Sequence, residues 1–286
     1  MTAVMSVVVP AHNEQTIIER MLRALVASDT GSNLEIVVVA NGCTDDTARV
    51  AGEVAPSIRV VQIATASKIA ALNAGDDAAT VFPRAYVDAD VRVSAEALLA
   101  VAERLDDAAG TFIGAPRLRI DTAGCSLAVR QYYTVWEQSE YRAAAHVGSG
   151  VYVLSKSGRE RFGRFPDLIA DDRFVQQLFA PTERVTAAEH SFTVPAPRTY
   201  RALLSRQTRI ATGNRQLAHA YPPRTDVGQQ PRFGALVKRV AARPALWPAF
   251  GSYCYGYLVP RLLARRMAAA GQTVGWNRDE TTRVSA

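Results

Sequence analysis

The chain has 286 residues, 48% hydrophobic and 21% charged, which gives room for one large α/β domain or two small ones and excludes disorder as the default. Its formal net charge of +6 is carried almost wholly by arginine, since Lys68, Lys156 and Lys238 are the only lysines. Such a surplus attracts a diphosphate or an acidic membrane surface, although genome composition accounts for it equally well, and no lysine-rich run or aromatic-interleaved basic patch points to nucleic acid.

The amino terminus, MTAVMSVVVPAHNE, has no basic start, and Pro10, His12, Asn13 and Glu14 end its apolar run too soon for a signal peptide. Cytoplasmic synthesis is expected. Ser6–Val9 reads as a buried strand that stops at Pro10, and Ile17, Ile18, Met21, Leu22 and Leu25 then recur at helical spacing. Glu35–Val39 is a second strand, broken by Asn41 and Gly42, after which Thr44 is expected to cap a helix with Asp45 and Asp46 at its positive end. Ile58–Ile63 is a third strand, Ser67–Ala79 a helix, Ala85–Val87 a short fourth strand, and Ser94 opens a helix through Leu105. Strands alternating with helices imply parallel βαβ units, whose ligands sit beyond the carboxyl ends of the strands. Asn13, Glu14, Asn41, Asp88 and Asp90 all follow strands.

The middle of the chain is less regular. Cys125–Arg142 is a helical stretch with Tyr132, Tyr133, Trp136 and Tyr141, and a glycine cluster at Gly148 and Gly150 precedes the strand-like Val151–Leu154. Ile169–Arg173 opens a helix through Phe179, and Val185–Val194 is expected to supply further strands. Thr199–Ala218 is a basic helix with Arg201, Arg206, Arg209 and Arg215, and Pro222–Pro231 reads as a linker. Beyond it, Leu246–Val259 is uncharged and aromatic, with Arg261, Arg265 and Arg266 behind it. Pro248, Gly251 and Gly256 interrupt it too often for a spanning helix of about 20 apolar residues. A helix packed on the domain or a dimer contact is the first expectation, and a helix in the membrane interface the second. Cys43, Cys125 and Cys254, odd in number and scattered, fit a reducing compartment better than a disulfide framework. His12, His146, His190 and His219 form no metal-ligand spacing.

The ordered set SVVVPAHNE, VVVANGCTDDT, SKIAALNAGD, YVDADV, GSGVY and IADDRF resembles the family 2 glycosyltransferases over roughly the first two-thirds of the chain. Three departures stand out. Ala40 and Asn41 replace two acidic residues of the family, Asp171-Asp172 replaces its glutamate–aspartate pair, and only Arg209 survives of a Gln-x-x-Arg-Trp motif. The resemblance implies a GT-A fold of the α/β class, with a mostly parallel central sheet flanked by helices and a helical C-terminal extension. It also implies sugar transfer, with inversion, from a nucleotide-diphosphate sugar to a hydroxyl acceptor. Pro10, Ala11, Asn13, Glu14, Asn41, Lys68, Asp88, Gly148, Gly150, Asp171 and Arg209 would then serve the donor, Asp90 the metal, and Asp172 the catalytic base.

Chemistry supports the same residues. A departing nucleoside diphosphate gathers negative charge, which Mg²⁺ or Mn²⁺ neutralises through carboxylate and phosphate oxygens. Asp88-Ala-Asp90 offers two carboxylates on a turn, though a solvated acidic turn looks the same in sequence. Asn41 can donate to and accept from a base edge, and Asn-Gly is equally a turn pair. Gly148 and Gly150 let backbone approach a sugar or pyrophosphate, or simply make a turn into a strand. Asp171 and Asp172 suit either helix capping or proton abstraction.

The expected organisation is a catalytic domain over residues 1–220 and a helical extension over 221–286. Expected partners are the nucleotide sugar, a hydroxyl acceptor (glycan, lipid carrier or small molecule), no nucleic acid, and peripheral membrane contact through the C-terminal segment. That places the chain in the cytoplasm or on the inner face of the membrane. A haloacid-dehalogenase-like phosphatase using Asp88 and Asp90, a pyrophosphorylase, and a non-catalytic nucleotide-sugar binder are the rival readings.

Overall fold

The structure, a computed structural model, describes residues 3–107, 110–139, 147–222 and 233–270. Its centre is a seven-stranded sheet with strands β1 (Met5–Ala11), β2 (Leu34–Asn41), β3 (Ile58–Ile63), β4 (Arg84–Val87), β5 (Ile113–Asp121), β6 (Val151–Leu154) and β7 (Arg184–Pro195). They lie side by side in the order β3-β2-β1-β4-β6-β5-β7. The first four are parallel, as is the pair β5–β7, whereas β6 runs antiparallel to both β4 and β5.

Both faces of the sheet are covered, and the strand residues divide with period two. Val7 and Val9 of β1 and Ile36 and Val38 of β2 pack in one apolar cluster with α1 (Ile18–Ser28), α2 (Thr47–Val54) and α4 (Ala95–Asp107). Val8, Val37 and Val39 pack on the other face with α3 (Lys68–Ala78) and α7 (Asp171–Gln176), beyond the short α6 (Lys156–Arg159). A third cluster joins α5 (Leu127–Trp136), α8 (Tyr200–Ala220), α9 (Phe233–Ala241) and α10 (Trp247–Ala269).

Several local expectations change. Strand β1 does not stop at Pro10 but pairs with β2 through Ala11, because β4 has already ended its pairing at Val8 and no ladder on that side needs the missing N–H. Thr44 does not cap α2. Its N–H donates to Asn13 Oδ1 (2.8 Å), while Asp45 Oδ1 accepts from Thr47 N–H (3.1 Å) and Thr47 Oγ1 (2.5 Å). Ser67 does cap α3, accepting from Ala70 N–H, and Ser94 accepts from Ala97 N–H at the start of α4. The tract Val185–Val194 forms one strand, β7, and the helix opened by Asp171 ends at Gln176 rather than Phe179.

Strand β5 was not foreseen, for Gly114 and Pro116 break its pattern. A Cβ on Gly114 would lie 2.7 Å from both Val101 and Val185, and Pro116 sits at a register shift against β7. The end of the expected Cys125–Arg142 helix and most of the expected Pro222–Pro231 linker fall at residues 140–146 and 223–232, outside the described residues. The carboxyl-terminal aromatic run is helical and packed on the domain, with Tyr253 stacked on Tyr132 at 5.2 Å.

Candidate active site

Parallel pairing puts the carboxyl ends of β1 to β4 on one edge of the sheet. Because β6 runs the opposite way, with Val87 opposite Val151, its entry loop returns to that same edge. Residues far apart in the chain therefore meet there.

On the β1–β2 side the loops lock together. Pro10 and Ala11 are buried at the end of β1, and Asn13, in the left-handed region at φ +50, takes Thr44 N–H on Oδ1 and donates Nδ2 to Thr44 Oγ1 (3.2 Å). The buried Glu14 donates its N–H to Thr47 Oγ1 (2.7 Å). His12 Nδ1 meets the Asn41 carbonyl, which makes it a loop tie. Asn41 is fully buried and donates Nδ2 to the Ala11 carbonyl (2.8 Å), while its Oδ1 has no hydrogen-bond partner among the described residues. A buried acceptor without a donor costs stability unless a ligand supplies one.

The acidic side is built around Lys68 at the start of α3. Its Nζ lies 2.8 Å from Asp88 Oδ1 and 3.1 Å from Asp171 Oδ1, joining the ends of β4, α3 and α7 through one ammonium. Burial opposes the lysine charge, but Asp171 and Asp88 outweigh it and hold its pKa above the usual lysine range. The Asp171 carboxyl is also pushed up, first by burial and then by Asp172 and Asp88, against the pull of Lys68. Both shifts are upward, which favours the charged lysine but disfavours the charged Asp171, because one cation is shared among several carboxylates and Asp171 is the most buried of them. Its Oδ2 has no hydrogen-bond partner among the described residues.

Asp172 is half-buried, and two backbone N–H groups hold its carboxylate. Oδ2 accepts from Ser149 N–H (2.8 Å) and Oδ1 from Arg173 N–H (2.7 Å). The flanking glycines are required twice over. Gly148 (φ +116) and Gly150 (φ +94) adopt conformations that other residues rarely take, and added Cβ atoms would come within 3.0 Å of Asp172 Oδ2 and 3.2 Å of Asp88 Oδ2. Gly150 also accepts Asp88 N–H at its carbonyl (2.8 Å).

Asp90 is half-buried on the turn closed by Val91 N–H to the Asp88 carbonyl (3.1 Å). Arg209 comes in from α8. Burial and then the neighbouring Arg206 lower its pKa, while Asp88, Asp90 and Asp171 all pull the other way, so the helix brings this guanidinium into the field of the acidic group.

The expected residues thus form two neighbouring clusters on one edge: Pro10, Ala11, Asn13, Glu14 and Asn41 in one, and Lys68, Asp88, Gly148, Gly150, Asp171 and Asp172 in the other, with Asp90 and Arg209 beside it. The sequence had not shown that Lys68 pairs with Asp171, which lies a hundred residues further on. It had not singled out Ser149 either, whose φ of +57 between two glycines aims its N–H at Asp172.

Among the described residues no three His, Cys, Asp or Glu side chains cluster as a metal cage. Asp90, with Asp88 engaged by Lys68, fits instead a hard cation that takes most of its oxygens from phosphate and water, as Mg²⁺ does.

Solved structures show the fold class. A mannosyltransferase of Pyrobaculum calidifontis, in complex with GDP-Man and Mn²⁺, matches at TM-score 0.60 and 21% identity over 96% of this chain and 77% of that one. Glucosyl-3-phosphoglycerate synthase of Mycobacterium tuberculosis, in complex with Mn²⁺ and UDP-Glc, matches at TM-score 0.53 and 18% identity over 79% of this chain and 82% of that one. The architecture is the GT-A type of nucleotide-diphospho-sugar transferase fold. Residues 6–145 match the model of glycosyl transferase family 2. None of the curated proteins matches the chain. The phosphatase and binding-protein readings find no support. The matched stretch ends before Gly148, Gly150, Asp171, Asp172 and Arg209, whose roles therefore rest on geometry.

Proposed function

We propose that the unit formed by residues 1–220 transfers a sugar from a nucleotide-diphosphate donor to a hydroxyl acceptor with inversion, and that residues 221–286 are its helical extension. The observation that carries this reading is the meeting of Asp172, fixed by two backbone N–H groups, with the Lys68–Asp88–Asp171 group at the strand ends. Asp172 takes the acceptor proton as the acceptor oxygen attacks the anomeric carbon, and the bond to the diphosphate breaks with its electron pair leaving on the diphosphate. The nucleoside sits against Pro10, Ala11, Asn13 and Glu14, where Asn41 Oδ1 accepts from the base. Lys68 and Asp171 hold Asp88 toward the sugar, Gly148 and Gly150 keep the approach open, and Arg209 faces the diphosphate.

Complexes of the similar proteins with Mn²⁺ or Mg²⁺ support the use of a divalent cation. When bound by Asp90 of the D-x-D turn, it supplies neutralisation of the diphosphate charge. Glucosyl-3-phosphoglycerate synthase is also known in complex with phosphoglyceric acid, in keeping with a hydroxyl-bearing acceptor. Among the described residues no helix is long and apolar enough to cross a membrane. The same reading has the chain at work in the cytoplasm, on the inner membrane face, held there peripherally by its extension.

The test is a panel of UDP-, GDP- and dTDP-sugars scored for transfer. With the active donor, Asp172→Asn is expected to lower kcat by roughly 10²–10⁴-fold while donor affinity stays near wild type. Asp171→Asn should cost less turnover. Transfer at full rate by both single variants and the double variant would remove the base from this site.

A further inference from the structure

The outward face of α10 is unlike the rest of the surface. The helix packs on the domain through Ala249, Tyr253, Gly256, Pro260 and Ala264. On the opposite side Trp247, Tyr255, Leu258 and Leu262 are each at least half exposed. At 3.6 residues per turn these four fall within about 80° of one another, so they form one stripe roughly 22 Å long. Arg265 lies in line with the stripe, and Arg261 and Arg266 flank it. Tyr257 holds Arg261 in place, with the guanidinium 3.4 Å from the ring centroid and a hydrogen bond to the Tyr257 carbonyl (2.8 Å).

Charge singles out the same place. Residues 233–270 hold Lys238, Arg239, Arg243, Arg261, Arg265 and Arg266 and no acidic residue. Of the 33 basic residues in the chain, 27 lie elsewhere, against the same number of acids, so the +6 surplus equals the charge of residues 233–270, which comprise α9, α10 and the link between them. An apolar stripe with exposed aromatics, edged by cations and facing away from the domain, matches an acyl–headgroup boundary carrying negative charge. A second copy of the chain would bring cations against cations.

We infer that α10 docks through Trp247, Tyr255, Leu258 and Leu262 on an anionic lipid surface, lying flat with its arginines at headgroup level. The inference deepens the peripheral-membrane part of the proposed function and does not depend on its chemistry. Docking this way orients the enzyme, because α8, which carries Arg209, packs directly on α10: Tyr200 Oη bonds the Ser252 carbonyl, and a Cβ on Gly256 would lie 3.2 Å from that same Oη.

The experiment is flotation of the full chain with vesicles of phosphatidylcholine alone or with phosphatidylglycerol added. Sedimentation of the free protein and calorimetric UDP binding with Mn²⁺ are measured on the same samples. The expected result is flotation on the anionic vesicles only. Tyr255→Ser/Leu258→Ser/Leu262→Ser and, separately, Arg265→Glu/Arg266→Glu should each weaken it by about 10-fold or more, with UDP binding unchanged. Equal flotation of wild type and both variants, or none by wild type, overturns the inference. A concentration-dependent dimer abolished by the serine variant would assign the face to a second copy instead. Lost UDP binding beside normal flotation would count against the catalytic reading alone.

Discussion

At the scale of single residues, the site depends on one ammonium among several carboxylates. Lys68→Met leaves Asp171 buried and unpaired, a situation that costs roughly 3 kcal/mol in comparable sites. Urea denaturation should show that loss, and the double variant Lys68→Met/Asp171→Asn should recover at least about 1 kcal/mol of it, since the stranded charge is then gone. Additive losses in the cycle would mean that the two side chains do not depend on each other. Asp90 is argued differently, from the diphosphate. Asp90→Ala is expected to weaken UDP binding when Mn²⁺ is present and to leave it unchanged after metal removal by chelator. Equal affinity of the wild type with Mn²⁺ and with chelator would count decisively against the metal role.

Among the elements, α3 packs close against the sheet at β1 and β2. Gly75 makes this approach possible, for a Cβ there would lie 2.3 Å from Val8 Cγ1 and 3.1 Å from Val39 Cγ2. Alanine favours a helix by up to about 1 kcal/mol over glycine, but overpacking a fitted core costs about 1–3 kcal/mol. Gly75→Ala should therefore lower stability, and Val8→Ala added to it should restore part of the loss; a higher Tm for Gly75→Ala would show that the helix has room to shift. The elements also show what could be read in advance. The first four strands and their helices were legible, since both faces of a parallel sheet demand apolar strands and amphipathic helices, as at Val7–Val9 and Ile18–Leu25. Asn13, Glu14, Asn41, Asp88 and Asp90 were legible as a group because they follow those strands. Strand β5 was not, because Gly114 and Pro116 answer to partners distant in sequence. Nor was the Lys68–Asp171 contact, which depends on the direction of β6 and on no local pattern.

Across the molecule, the sheet, α3 and α6 are tied by a network that sequence left unmarked at the end of SKIAALNAGD. Asp76 accepts from Tyr86 Oη (2.6 Å) and Arg159 Nε (2.8 Å) and also pairs with the buried Arg84. Burial pushes its pKa upward, but these three donors prevail and hold it below the usual aspartate range. A depressed carboxyl contributes stability that is fully present above the unfolded value of about 3.9 and lost as pH falls through the folded one. Asp76→Asn should therefore be most destabilising near pH 7, and its gap from wild type in denaturant midpoint should narrow below about pH 4. A gap that stays constant from pH 7 to pH 3 would mean that the network holds no net charge interaction.

The reversed strand β6 has a consequence for the order in which the molecule is made. β4 is finished at Val87, yet its outer neighbour is not synthesised until Val151–Leu154, and β5, which emerges between them, pairs with β6 and not with β4. At about 5–20 residues per second, the nascent chain carries the bare rim of β4 for roughly 3 to 13 seconds. Rims of that kind recruit other strands. The ribosome-bound first half is thus the stage at which this protein is most exposed to mispairing, and where a chaperone would find its target.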